Sequence, residues 1–152
     1  MKKVIYPALL MAAAGMLLAA GPEGFVGSWK SDPGTPTMTR DLALDGKVIV
    51  MTEHIPARNG GPETIMIRKY PTDGSTATMD KGFWAGATAT GKMEGNVLTV
   101  DTTQANGTIW HDIWTLSEDG KRYTDEMSST PPPGAAPSGR ARGPNKFSYT
   151  KE

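Results

Sequence analysis

Beyond residue 21 the chain is written in short runs in which apolar and β-branched residues alternate with polar ones, the two-residue period of a strand with one face buried. No stretch there keeps an apolar period of 3.6 residues long enough for a core helix. The runs are separated by turn sequences: Leu44-Asp45-Gly46-Lys47, Thr72-Asp73-Gly74-Ser75, Glu94-Gly95-Asn96, Ala105-Asn106-Gly107-Thr108 and Glu118-Asp119-Gly120-Lys121. Asp-Gly and Asn-Gly between β-branched runs signal hairpins, because a type I′ turn needs positive φ at both central positions. Strands are predicted over 25–31, 37–44, 47–54, 63–70, 75–79, 85–93, 97–104, 108–117, 121–128 and 146–151. The predicted fold class is therefore all-β, an antiparallel up-and-down meander of about eight to ten strands. Closure into a barrel removes the free edges of such a sheet. A two-sheet sandwich is the alternative, but it uses longer crossovers, and only 56–62 and 129–145 are long connections here.

The second of these, STPPPGAAPSGRARGPN at 129–145, has too little apolar surface to offset its ordering and is predicted to be a flexible Pro/Gly-rich loop. It is either a surface insertion or a lid or partner-binding tether.

Residues 1–20 follow a different pattern. Lys2 and Lys3 precede an uncharged run from 4 to 20 that ends in small residues before Gly21-Pro22-Glu23, the three regions of a secretory signal. Spanning a bilayer takes roughly 20 apolar residues, and this shorter run contains Pro7 and Gly15. A signal-peptide helix at 1–20, cleaved at Ala20-Gly21, and a single domain at 21–152 are expected. The mature protein is then periplasmic or secreted, with no membrane span after cleavage and, lacking a cysteine after the apolar run, no lipid anchor.

Composition narrows the chemistry. Without Lys2 and Lys3, the balance of 16 basic and 16 acidic residues becomes an excess of two acids, which argues against a nucleic-acid partner. The chain has no cysteine, so thiolate chemistry and cysteine metal sites are excluded. It has no Gly-x-Ser-x-Gly elbow, no Gly-x-Gly-x-x-Gly and no Walker sequence, and no cofactor is expected. Two histidines, His54 and His111, are too few for a three-His zinc site; a metal would have to recruit Asp112, Glu53 or Asp101, and none is expected.

The richest strand is Ile109-Trp110-His111-Asp112-Ile113-Trp114. Alternation puts Ile109, His111 and Ile113 on one face and Trp110, Asp112 and Trp114 on the other. An unpaired buried Asp112 costs more than a neutral imidazole, so the first set is expected to face a cavity. Ile109, His111, Ile113, His54 and Trp84 are accordingly the predicted ligand-binding residues, with no catalytic residue assigned. Trp29, Trp84, Trp110 and Trp114 serve either the core or a ligand.

The start Phe25-Val26-Gly27-Ser28-Trp29-Lys30, followed by Pro33-Gly34-x-Pro36, Asp45-Gly46-Lys47, Leu116-Ser117-x-Asp119-Gly120-Lys121 and Phe147-Ser148-Tyr149-Thr150-Lys151, resembles small secreted bacterial lipocalin-like β-barrel domains of unassigned function. The resemblance implies that Trp29 plugs one end of the barrel and that the cavity takes a small apolar or amphipathic molecule. A late arginine packs on that tryptophan in lipocalins; here the last strand offers Lys146 and Lys151.

Three functions stay open. The first is an exported module that holds a small hydrophobic or amphipathic ligand in the barrel. The second is a barrel enzyme, isomerase-like or cyclase-like, using His111 or His54 with a carboxylate. The third is a protein-interaction domain without a small ligand. A histidine and a carboxylate converging inside a cavity would favour the second, and the absence of any cavity the third.

Overall fold

The computed structural model describes residues 21–33, 37–57, 60–135 and 144–152. The expected signal peptide and residues 136–143 of the expected loop lie outside the described residues; Ser129 and Thr130 at one end of that expected loop belong to a strand, as does Asn145 at the other. Ten strands form one antiparallel sheet: β1 (Gly27–Ser31), β2 (Thr39–Asp45), β3 (Val48–Ile55), β4 (Thr64–Pro71), β5 (Asp73–Thr78), β6 (Thr88–Glu94), β7 (Val97–Thr103), β8 (Ile109–Leu116), β9 (Arg122–Thr130) and β10 (Asn145–Lys151). Their spatial order is β4-β3-β2-β1-β10-β9-β8-β7-β6-β5, so every sequence neighbour pairs except β4 with β5, and β1 pairs with β10. There is no α-helix among the described residues, and no helix there is long and apolar enough to cross a membrane.

The hairpins lie where the turn residues place them. Gly46 takes φ +59° between β2 and β3, a conformation in which a Cβ would be strained. The sequence 72–75 departs from expectation: it is a corner, not a hairpin. Thr72 donates its backbone N–H and its hydroxyl to Lys47 O at 2.9 and 2.8 Å and accepts the N–H of Met93 at 2.9 Å. One residue thus ties the end of β4 to both the β2–β3 turn and β6, and the barrel comes near to closing without a β4–β5 ladder. Gly91 on β6 permits the approach, since a Cβ there would stand 2.2 Å from Pro71 O. The strand expected over 85–93 starts only at Thr88, because Gly82–Trp84 forms a turn of 3-10 helix that folds over one mouth of the barrel.

The opposite end is filled with rings. A 3-10 turn, Pro22–Phe25, crosses it and accepts the Trp29 Nε1–H on Phe25 O at 2.7 Å. Phe25, Trp29, Tyr70, Trp114 and Tyr123 are fully buried there, with ring centroids 4.6 to 5.8 Å apart in tilted and edge-on pairs. Lys151 Nζ stands 5.2 Å from the Trp29 ring, in the place that the resemblance gives to an arginine.

Candidate functional site

Along six strands the inward side chains follow one pattern, apolar at the mouth, polar in the middle and mostly apolar towards the plugged end. The sets are Met38-Arg40-Leu42 on β2 and the residue before it, Ile55-Glu53-Met51 on β3, Met66-Arg68-Tyr70 on β4, Trp110-Asp112-Trp114 on β8, Met127-Asp125-Tyr123 on β9 and Phe147-Tyr149 on β10, whose next alternate residue, Lys151, is exposed. The two-residue step of a strand sets the spacing within each set; the antiparallel register puts Arg40 directly opposite Glu53 and leaves Arg68, Asp112, Asp125 and Tyr149 in diagonal steps of two residues around the barrel.

Arg40, Glu53, Arg68, Asp112 and Asp125 are all buried in that middle layer. Arg40 donates Nε–H to Glu53 at 2.6 Å and Nη1–H to Asp125 at 2.8 Å and to the Tyr123 hydroxyl at 3.1 Å; its guanidinium lies 4.2 Å from the Tyr149 ring centre. Burial opposes its charge, but Tyr123, Asp125, Tyr149 and Glu53 together hold it well above the usual arginine range. Arg68 is less well served. Its Nη2 reaches Glu53 at only 3.5 Å, its Nε has no hydrogen-bond partner among the described residues, and its guanidinium stacks over Trp84 at 5.2 Å. Both carboxyl oxygens of Asp112 also lack such a partner. Burial pushes that carboxyl up to about 7, opposed by Arg68 and reinforced by Asp125. Burial likewise raises the Tyr70, Tyr123 and Tyr149 hydroxyls, which stay protonated donors.

Above the charged layer the barrel opens into a pocket of about 380 Å³. Its floor is Arg40, Glu53 and Arg68, and its wall is almost wholly apolar: Met38, Ile55, Met66, Met127 and Phe147, with Phe83, Trp84 and Trp110 at the mouth. Trp84 and Trp110 meet edge to face at 5.8 Å, and Phe83 stands 75% exposed on the rim. A larger depression, about 640 Å³, runs over the outer face of β6 and β7 between Thr90, Lys92, Glu94, Val97, Thr99 and Asp101. It lies over an outer sheet face, with no buried polar group aimed into it, and the barrel pocket is the better candidate.

Of the predicted ligand residues, only Trp84 lines this pocket. Ile109, His111 and Ile113 occupy the outer face of β8, with Ile113 41% exposed, and Asp112, Trp114 and Leu116 are buried instead. The expected face is therefore reversed. Its premise was an Asp112 with nothing to balance it, whereas two arginines from β2 and β4 share its interior. His54 also faces outward, with Nδ1 3.2 Å from Glu63 and Nε2 3.5 Å from Asp41. His111 Nδ1 lies 2.6 Å from Asp101 and Nε2 3.3 Å from Thr130 Oγ1. Each histidine meets a carboxylate, but outside the barrel, so the proton shuttle expected of a barrel enzyme does not form in the cavity. The residues missed were Arg40, Arg68 and Asp125, and Glu53 had entered only as an acid that a metal would have to recruit. Their signal was present in the sequence as a charge set in the apolar phase of strand after strand.

No protein-family model and no curated protein matches the chain. Among solved structures it is similar to a secretory abundant heat soluble protein from Ramazzottius varieornatus, with TM-score 0.61 and 11% identity over 85% of this chain and 96% of that one. It is similar to the fluorescent protein UnaG, with TM-score 0.58 and 13% identity over 86% and 98%. It is also similar to a fatty acid-binding protein from brain tissue of Drosophila melanogaster, with TM-score 0.53 and 11% identity over 83% and 98%. At such identities the likeness establishes the fold: a lipocalin-like antiparallel β-barrel.

Proposed function

We propose that the domain is an exported carrier that holds a small amphipathic molecule in its barrel, the apolar part against the methionines and aromatic rings of the mouth and a polar or anionic end on Arg68. The observation that carries this is a pocket with apolar walls and, at its floor, a buried guanidinium whose Nε–H has no hydrogen-bond partner among the described residues. Ligand pockets occupy about 300–1,000 Å³, are mostly apolar and carry a few placed polar groups. The pocket meets all three conditions. Methionine suits a carrier, since its unbranched chain adapts to irregular apolar shapes. Arg40 is already paired with two carboxylates, Glu53 and Asp125, which leaves Arg68 to receive the ligand's head. That one of the similar structures is a fatty acid-binding protein supports the same reading. Export rests on the signal pattern of residues 1–20.

Trp84 and Trp110 in the wall report occupancy. Titrating the mature domain with dodecanoate, dodecanol and dodecyltrimethylammonium should change tryptophan fluorescence, with dodecanoate bound most tightly. Replacing Arg68 by Met should remove most of the preference for dodecanoate over dodecanol, a loss of roughly 1.5–3 kcal/mol for a charge-assisted hydrogen bond. If none of the three binds below millimolar concentration, the carrier reading fails and the protein-interaction reading replaces it.

A further inference from the structure

The charged layer holds five ionisable side chains around one small space, and its charge count is uneven. Two cations, Arg40 and Arg68, face three acids, Glu53, Asp125 and Asp112. Glu53 and Asp125 each meet Arg40 at hydrogen-bond distance, while Asp112 meets none of the described residues that way. With Asp112 protonated the layer is neutral; with Asp112 ionised it carries one net negative charge. An anionic head placed on Arg68 adds another negative charge to the same water-poor interior. Like charges at such separation disfavour each other's ionisation.

We propose that Asp112 is the proton partner of the ligand, so that the barrel takes up an anionic head on Arg68 together with one proton on Asp112. The inference rests on the carrier reading above and adds to it a coupling and the residue that produces it.

The surroundings of Asp112 name the other candidates for that proton. On β4 it faces Arg68 and Tyr70, on β2 Arg40, on β3 Glu53, and on β9 Asp125; Tyr123 of β9 and Tyr149 of β10 border the same layer, and β7 contributes Val100 and Thr102, which do not titrate. The tyrosines are raised by burial and already hold their protons, the arginines keep theirs, and Glu53 and Asp125 each receive a hydrogen bond from Arg40. Asp112, which no arginine reaches at hydrogen-bond distance, changes state near neutral pH, its carboxyl being pushed up to about 7 mainly by burial. Raising the pH through that value ionises Asp112, turns Arg68 towards an internal counter-charge and weakens its hold on an external one. Lowering the pH restores the binding site. Release and uptake of the ligand would then follow the pH of the compartment.

Isothermal titration of the mature domain with dodecanoate at pH 8, in phosphate and in Tris buffers of different ionisation enthalpy, reads the coupling directly. The expected result is uptake of close to one proton per ligand and an affinity that falls by up to about tenfold per pH unit above 7. Dodecanol, which brings no charge, should bind with no proton uptake. Asp112→Asn should bind dodecanoate with equal heat in both buffers and with an affinity flat from pH 6 to 9. The wild-type measurement stands even where that variant fails to fold. Tight dodecanoate binding without proton uptake overturns the inference and leaves the carrier reading intact. Absence of dodecanoate and dodecanol binding at every pH overturns both.

Discussion

Asp112 is held against its own chemistry. Its ordinary value is 3.8, and burial raises it to about 7 in the folded barrel. The folded state therefore keeps a proton that the unfolded chain releases. The stabilisation from that proton is complete below about pH 4 and is lost as the pH climbs through 7. Asp112→Asn cannot ionise and should escape the loss. Thermal unfolding followed by circular dichroism at pH 5 and pH 8 tests this: the melting temperature of the variant should gain on the wild type as the pH rises. A gap that stays constant or closes would show that Asp112 is ionised throughout. Arg40 is held in the opposite way, charged and paired with two carboxylates. Replacing it by Met leaves Glu53 and Asp125 buried without their cation, which should cost roughly 3–5 kcal/mol in urea unfolding, the usual loss when one member of a buried ion pair is removed. The Asp112 of the sequence was misread for a related reason: a single strand shows a lone acid, and the two arginines that balance it arrive from residues 40 and 68 only when the barrel forms.

At the scale of elements, the sequence was informative wherever the cause was local. Alternation located the strands to within a few residues, and Asp45-Gly46 and Asp119-Gly120 marked true hairpins, because positive φ is a property of a residue and its neighbours. Asp73-Gly74 carried the same local signal and yet turns a corner. What differs is long-range: Thr72 is captured by Lys47 and Met93, and Gly91 leaves room for Pro71 to cross β6. No local rule reports that contact. It makes a prediction, since a methyl group at residue 91 would also lie 2.9 Å from Val100 Cγ2. Gly91→Ala must push the end of β4 off β6, and overpacking of this kind costs about 1–3 kcal/mol. Amide exchange should quicken at Thr72 and Met93 first. Unchanged stability and exchange would mean that the barrel closes by other contacts.

The whole molecule separates its two tasks along the barrel axis. Towards the 3-10 turn at Pro22–Phe25, Phe25, Trp29, Tyr70, Trp114 and Tyr123 are fully buried and closely packed, and their burial stabilises the fold. Towards the other mouth, Met38, Met66, Trp110 and Phe147 stay half-buried around the pocket, where close packing would destroy the space. The charged layer lies between the two and forms the floor of one and the roof of the other. Substitutions should divide accordingly. Leu98, fully buried beside Trp114, belongs to the packed end, and Leu98→Ala should cost about 2–5 kcal/mol of stability. Its folded fraction should bind dodecanoate with unchanged affinity. Met66 belongs to the mouth, and Met66→Ala removes wall from the pocket while most of the chain's core stays in place. Unfolding should move by well under half the Leu98→Ala amount, whereas the dissociation constant should rise several-fold, as expected from roughly 25 cal/mol per Å² of lost apolar contact. Urea unfolding and fluorescence titration of the same two proteins decide the matter. If Leu98→Ala weakens binding as much as Met66→Ala does, the two ends are mechanically coupled, and the barrel is one binding unit instead of a stable base carrying an adaptable mouth.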